Sequence, residues 1–164
     1  MLQRATPTIR ELLSYRLHQV ANLLSRGAEM RYRREFGVSL WEWRSVALLG
    51  GAGDPQSLNE LARAAGMDKG QMSRVVSGLT RRKLVFRETD ANDARGIRLS
   101  LTPSGKKLYQ KLIGAAAERN SAFLGCLSVK ERECLEQAMT KLAREARGFI
   151  QKEHAAQPRP ARAR

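Results

Sequence analysis

All five prolines of this 164-residue chain stand where no helix can be running. Pro7 lies near the start, Pro55 in "GGAGDPQ", Pro103 after an alternating stretch, and Pro158 and Pro160 in the tail. Proline in a helix interior costs about 3 kcal/mol, so the intervals between these positions are free to be helical. Within them, capping boxes mark the starts: Thr8 with Glu11, Ser39 with Glu42, Ser57 with Glu60, Asp68 with Gln71, and Ser128 with Glu131. In each, the first side chain bonds the third amide and the Glu or Gln reaches back. Thr102 before Pro103 marks one more start, because proline suits the first helical position.

Six helices follow from these signals. The first runs from about Thr8 to Glu35, with Ile9, Leu12, Leu13, Val20, Leu23 and Leu24 at three- and four-residue steps. The second covers about Leu40 to Leu49, and the third covers Leu58 to Ala65, stopped by Gly66. The fourth, about Lys69 to Arg82, keeps Met72, Val75, Val76 and Leu79 on one face. Between it and the two long helices at about Pro103 to Leu124 and Val129 to Ile150 lie "LVFRET" and "GIRLSLT". In the latter, Ile97, Leu99 and Leu101 alternate with Arg98, Ser100 and Thr102, the period of a strand with one buried face, so the segment folds as a β-hairpin. The end, "QKEHAAQPRPARAR", has no apolar periodicity and reads as a disordered basic tail.

The charge narrows the function. Thirty Lys and Arg face sixteen Asp and Glu, for a net charge of +14 and a pI near 10.8, which draws a small domain to polyanions, nucleic acid first among them. A membrane is the weaker partner, because no apolar run approaches the roughly 18 residues of a spanning helix and the N-terminus lacks the apolar core of a signal peptide. The expected location is therefore cytoplasmic. Catalysis finds no support: the histidines are His18 and His154, no nucleophile has a base beside it, and "GGAGDP" is too short for a dinucleotide fingerprint. Neither cofactor nor metal is expected. Cys126 and Cys134 lack ligand spacing and are expected to be buried thiols. The acids in "TDANDARG" do not make a calcium loop, since counting from Asp90 the sixth place, where glycine is needed, is Arg95, and the twelfth is Leu101.

Two short helices, a tight turn and a hairpin are the winged helix-turn-helix arrangement, whose second helix enters the DNA major groove. At about 100° per residue, Gly70, Ser73, Arg74, Ser77 and Arg81 share the face opposite the apolar stripe. The small residues permit close approach to base edges, and Arg74 can reach a guanine or a phosphate. Lys69, Gln71 and, on the hairpin, Arg95 and Arg98 complete the expected DNA surface. An ordinary solvated face is the competing reading, but no acidic residue occurs between Asp68 and Glu88.

Over nearly everything from Leu12 to Ile150 the chain resembles the MarR family of transcriptional regulators. "LNELARAAGMDKGQMSRVVSGLTRRKLVFRETDANDARGIRLSLTPSGKKL" carries the family's DNA-binding pattern, and "EWRSVALL" resembles its second helix. The wing pattern Asp-Pro-x-Asp-x-Arg reads here Asp90, Ala91, Asn92, Asp93, Ala94, Arg95. The resemblance implies a mainly α fold with a small β-hairpin wing, the winged helix-turn-helix being flanked by long dimerisation helices. It further implies that Asp93 braces the wing and holds Arg95 toward the minor groove. Ala91 for proline, Ala94 for arginine and Lys83 for a helix-ending glycine depart from the pattern.

The implied organisation is an N-terminal arm and first dimerisation helix at 1–36, a DNA-binding lobe at 37–102, two C-terminal dimerisation helices at 103–150 and the tail at 151–164. The terminal helices are surplus to a winged helix and must bury their apolar stripes somewhere. The resemblance implies a homodimer on a palindromic duplex, with Leu12, Leu108, Leu112, Phe123, Leu127, Leu135, Leu142 and Phe149 as interface candidates. A helical core within one chain is the alternative. Many family members also bind small phenolic or aromatic acids, for which Tyr15, Arg16, His18, Trp41 and Arg44 are the candidates here, as stacking rings and charge-assisted donors. His18 as an ordinary helical residue and Arg44 as an ion-pair partner are the competing readings. A charge-driven architectural binder of nucleic acid, without a ligand, is the alternative function.

Overall fold

The computed structural model describes residues 6–90 and 93–156, the side chains of Asp90, Asp93, Ala94 and Arg95 excepted. The expected fold class is the observed one: helices α1 (Leu13–Phe36), α2 (Leu40–Gly51), α3 (Leu58–Ala65), α4 (Lys69–Arg81), α5 (Pro103–Leu124) and α6 (Val129–Ala156), with a small sheet of β1 (Gln56–Ser57), β2 (Val85–Asp90) and β3 (Asp93–Leu101).

Local signals set most boundaries. The boxes at Ser39, Ser57 and Ser128 form with both reciprocal bonds. Asp68 caps α4 through one bond, from the Gln71 amide at 2.8 Å, without the return bond. Thr8 and Glu11 close a 3-10 turn, Ile9–Glu11, and the extended backbone at Leu12 separates it from α1. The single helix expected from Thr8 is thus broken near its start. Helix α6 continues to Ala156, past the expected end at Ile150. Gln, Lys, Glu and Ala are good helix formers, so the helix propagates there without an apolar stripe to signal it.

The sheet is antiparallel in the order β1-β3-β2, with Val85 opposite Leu101 and Arg87 opposite Leu99. The third strand was not visible in the sequence. Two residues, pairing as Gln56 with Leu99 and Ser57 with Arg98, are too few to show a period.

The chain divides into two units, residues 1–117 and 118–164. In the first, Tyr32, Val38, Val46, Leu61, Met72, Val76, Leu79, Leu99 and Leu112 form the core, and the Tyr32 and Trp43 rings meet at 5.0 Å between centroids. This unit is larger than the expected lobe at 37–102, because α1 contributes Ala28 and Tyr32 to its core and α5 contributes Leu112 and Ala115. The second unit holds the end of α5 and all of α6, in which no described side chain is buried.

Two apolar rows stay uncovered. On α1 they are Leu13, Leu17, Val20 and Leu24, and on α6 Leu135, Met139, Leu142 and Phe149, all exposed. Their steps of four and three residues, with a full seven from Leu142 to Phe149, are the seam spacing of helices that pack side by side. One interface candidate is corrected: Leu112 is fully buried in the core of the first unit, whereas Leu108 is half-buried against the same core. Leu12, Phe123, Leu135, Leu142 and Phe149 are exposed and Leu127 is half-buried. The cysteines are a second correction, both being exposed, since they lie where helix faces are uncovered. The Cys126 thiol donates to the Phe123 carbonyl at 3.0 Å.

Candidate nucleic-acid interface

Helix α3 ends at Gly66, whose φ of 68° places it in the left-handed region, and the chain turns through Met67 to the Asp68 cap of α4. The Met67 amide returns to the Ala62 carbonyl at 2.9 Å and the Gly66 amide to Arg63 at 3.2 Å, closing the last turn. Met72, Val76 and Leu79 then lock α4 onto the core. Its opposite side presents Gly70, Arg74 and Arg81, and its first turn adds Lys69 and Gln71, all exposed. Among the described residues, the side chains of Lys69, Gln71, Arg74 and Arg81 make no hydrogen bond or ion pair within the protein. Ser73 and Ser77 are half-buried, and Ser73 lines a small crevice with Leu58, Arg87, Ile97 and Leu99, so it sits toward the sheet and not at the centre of the open face.

The far end of α4 is tied down. Lys83 takes a φ of 56°, a left-handed conformation that favours glycine. Its amide donates to the Thr80 carbonyl at 2.9 Å and the Leu84 amide donates to Leu79 at 3.0 Å, the same closing pattern as at Gly66. Buried Thr102, the residue before α5, completes a knot: its hydroxyl donates to the Lys83 carbonyl at 2.7 Å and accepts the Gly105 amide at 3.0 Å, while its amide donates to the Leu84 carbonyl at 3.1 Å. Gly105 is needed because a Cβ there would strike that same Leu84 carbonyl. On the other side, Arg82 pairs with Glu42 of α2 at 3.0 Å. The sequence flagged Lys83 as a missing glycine and Glu42 as a cap, but nothing in it pointed to Thr102, Gly105 or the Arg82 pair as anchors.

On the wing, Arg87 is exposed, whereas Arg98 lies opposite Ser57 on β1 and approaches the Glu60 carboxylate at 3.6 Å. Arg98 is therefore held at the base of the sheet beside α3. Hydrogen bonds from the Ser57 amide and hydroxyl, with smaller help from Arg98 and Arg63, hold the Glu60 carboxyl below the usual carboxylate range. The side chains of Asp93 and Arg95 lie outside the described residues.

Of the aromatic-acid candidates, Trp41 and Arg44 come together. The Arg44 guanidinium stands 4.8 Å over the Trp41 ring and donates to the Ser25 hydroxyl of α1 at 3.2 Å. Arg44 also lines a cleft of about 330 Å³ with Trp43, Ala47, Leu48, Ala64 and Ala65. Exposed His18 bonds Asn22 at 2.8 Å, two helical turns before Ser25, about 10 Å along the axis. Tyr15, half-buried, and Arg16, exposed, lie farther back still. No group of three or more His, Cys, Asp or Glu suited to a metal occurs among the described residues. None of the described helices is long and apolar enough to cross a membrane.

A capped helix-turn-helix with an uncovered basic face, followed by a hairpin wing, defines a winged helix-turn-helix DNA-binding protein. Residues 36–96 match the MarR family. Over that segment the chain is similar to this family of transcriptional regulators.

The HTH-type transcriptional repressor NicR of Pseudomonas putida is 30% identical over 88 residues, covering 54% of this chain and 56% of NicR, so the chain spans about half the length of that relative. A MarR/EmrR family regulator from Acinetobacter sp. ADP1 superposes with a TM-score of 0.78 at 26% identity, over 87% of this chain and 99% of that one. Bordetella bronchiseptica BpsR, whose DNA binding is regulated by 6-hydroxynicotinic acid, superposes with a TM-score of 0.74 at 20% identity, over 84% and 97%, a likeness that bears on the fold alone.

Proposed function

We propose that this protein is a cytoplasmic, homodimeric repressor that binds a palindromic operator and is released by a small phenolic or heteroaromatic acid. The observation that carries the reading is the open face of α4, where Lys69, Gln71, Arg74 and Arg81 project without partners among the described residues, from a helix locked into the core by Met72, Val76 and Leu79. Unspent donors on a rigid element are what groove reading requires. A palindrome follows from a two-fold dimer, which the uncovered seams on α1 and α6 support. Repression and an aromatic effector are supported by NicR, a repressor, and by BpsR, which answers to 6-hydroxynicotinic acid. On this chain the effector's ring and carboxylate are assigned to Trp41 and Arg44, with Tyr15, Arg16 and His18 as outer candidates.

Footprinting upstream of the chain's own gene, followed by titration against that site and a shuffled duplex, tests the reading. A regulator prefers its site by about a thousandfold or more, and near-equal affinities would instead make the protein a charge-driven architectural binder. Sedimentation showing only an 18.4 kDa species at micromolar concentration would end the dimer. For the effector, a tenfold loss of DNA affinity needs about 1.4 kcal/mol of preference for the released geometry. If a panel of phenolic and heteroaromatic acids neither shifts melting nor weakens binding, that part fails. If one acts, Arg44→Ala blunts the response while DNA binding persists. Asp93→Ala is expected to weaken operator binding if Asp93 orients Arg95, and to tighten it if the carboxylate merely repels phosphate, a repulsion of about 1 kcal/mol at most in water at about 4 Å.

A further inference from the structure

We infer that Glu42 is a positioning residue for sequence reading: its carboxylate fastens the C-terminal end of the recognition helix to α2 and commits Arg82 to the protein, not to DNA. The two oxygens have separate tasks. Oε2 accepts the Ser39 amide at 2.8 Å and closes the cap of α2. Oε1 accepts Arg82 Nη1 at 3.0 Å and lies 4.0 Å from where a Cβ on Gly78 would stand, so it rests against the last turns of α4.

The cap immobilises the carboxylate before Arg82 arrives, so little side-chain freedom remains to be lost when the pair forms, unlike an ordinary pair of long surface side chains. With side chains 20% and 40% exposed, the pair is partly shielded from water yet still open to it. Arg82 would otherwise be free to join Arg81 and Lys83 on the basic end of the helix. Where the Thr102 knot holds the backbone beyond α4, the Glu42 pair fixes the tilt of the helix end toward α2, the helix that also carries Trp41 and Arg44.

The inference rests on the proposed sequence-specific reading, and the test keeps the two apart. The full chain and its Glu42→Gln, Arg82→Gln and double variants are titrated against the footprinted duplex and a shuffled duplex, with melting recorded for each. Glutamine at position 42 still accepts the Ser39 amide, and Arg82→Gln leaves the cap untouched, so neither change needs to unfold the chain. Each single variant is expected to lose about fivefold on the specific duplex per reading head, with little change on the shuffled one, and the double variant to lose no more than the worse single. Tighter binding by Glu42→Gln, or a loss for Arg82→Gln that is equal on both duplexes and shrinks the salt slope by about one per head, would make Arg82 a phosphate contact and overturn the inference. Unchanged specificity in both singles overturns it too. A wild type without preference between the duplexes defeats the reading of sequence itself, whatever the variants do.

Discussion

Helices α4 and α6 carry the same apolar signal and meet opposite fates. Met72, Val76 and Leu79 on α4 follow each other by four and three residues, as do Leu135, Met139 and Leu142 on α6. The first three are almost wholly buried, while the α6 residues remain 43%, 51% and 37% exposed. Spacing therefore says that a helix owns a sticky face, and not which surface covers it. In α4 the cover comes from the same chain, which leaves the polar side free for a ligand as large as DNA. In α6 no described residue is buried, so its cover is not supplied by its own unit.

Leu79→Ala against Leu142→Ala puts that contrast to its hardest test. Leu79→Ala should cost about 2–5 kcal/mol in chemical denaturation at any protein concentration, because it opens a cavity in a closed core. Leu142→Ala should cost under about 0.5 kcal/mol in dilute solution and show its effect only as weaker self-association. Equal costs for the two would mean that α6 is covered within the chain. Gly105→Ala should be nearly as damaging as Leu79→Ala, at about 3 kcal/mol, since the new Cβ must displace the Leu84 carbonyl from the knot behind α4.

On the open side of α4, Arg74→Ala should weaken binding to the specific site by about 1–3 kcal/mol if it reads a base, and random DNA much less. Equal losses on both duplexes would reassign it to phosphate. Lys83→Gly is expected to stabilise by about 1 kcal/mol by relieving the left-handed lysine, visible as a higher melting temperature. No gain would mean that the lysine side chain supplies something that the backbone strain conceals.

The smallest effect compares the caps of the two units. Hydrogen bonds from Ser57 hold the Glu60 carboxyl, and those from Ser128 the Glu131 carboxyl, below the ordinary 4.5. A depressed folded-state value means stability that is complete above the unfolded value and lost as pH falls through the folded one. Melting should therefore begin to drop below about pH 4.5. Replacing both glutamates by glutamine, which can still cap, should flatten the part of that slope they cause; an unchanged slope would assign acid sensitivity to other carboxylates.

The sequence carried the helix starts, the buried stripe of α4 and the wing strands, because each rests on contacts within a few residues. Boundaries failed where a good helix former simply continued, as beyond Ile150, or where Leu12 interrupts an otherwise regular stripe. Leu112 was misplaced because periodicity cannot tell a core from an interface, and β1 was missed because two residues have no period. At the site, the exposed cations of α4 were readable from helical geometry alone. Half-buried Ser73, the Arg98 approach to Glu60 and the Glu42–Arg82 pair were not, since each joins elements 14 or more residues apart through the tertiary fold.

The Thr102 knot has a kinetic corollary. The amides of Leu84, Thr102 and Gly105 lie in the α4–β2 turn, between β3 and α5, and in the first turn of α5, yet their bonds interlock through one hydroxyl and one tight turn. None of these bonds can open far without disturbing the others, so their hydrogens should exchange with solvent together, at a rate close to that of whole-domain opening. The amides at Lys69 and Gly70, in the first turn of α4, have no such tether and should exchange far sooner. The helix that reads DNA is in this sense fastened most firmly at its C-terminal end.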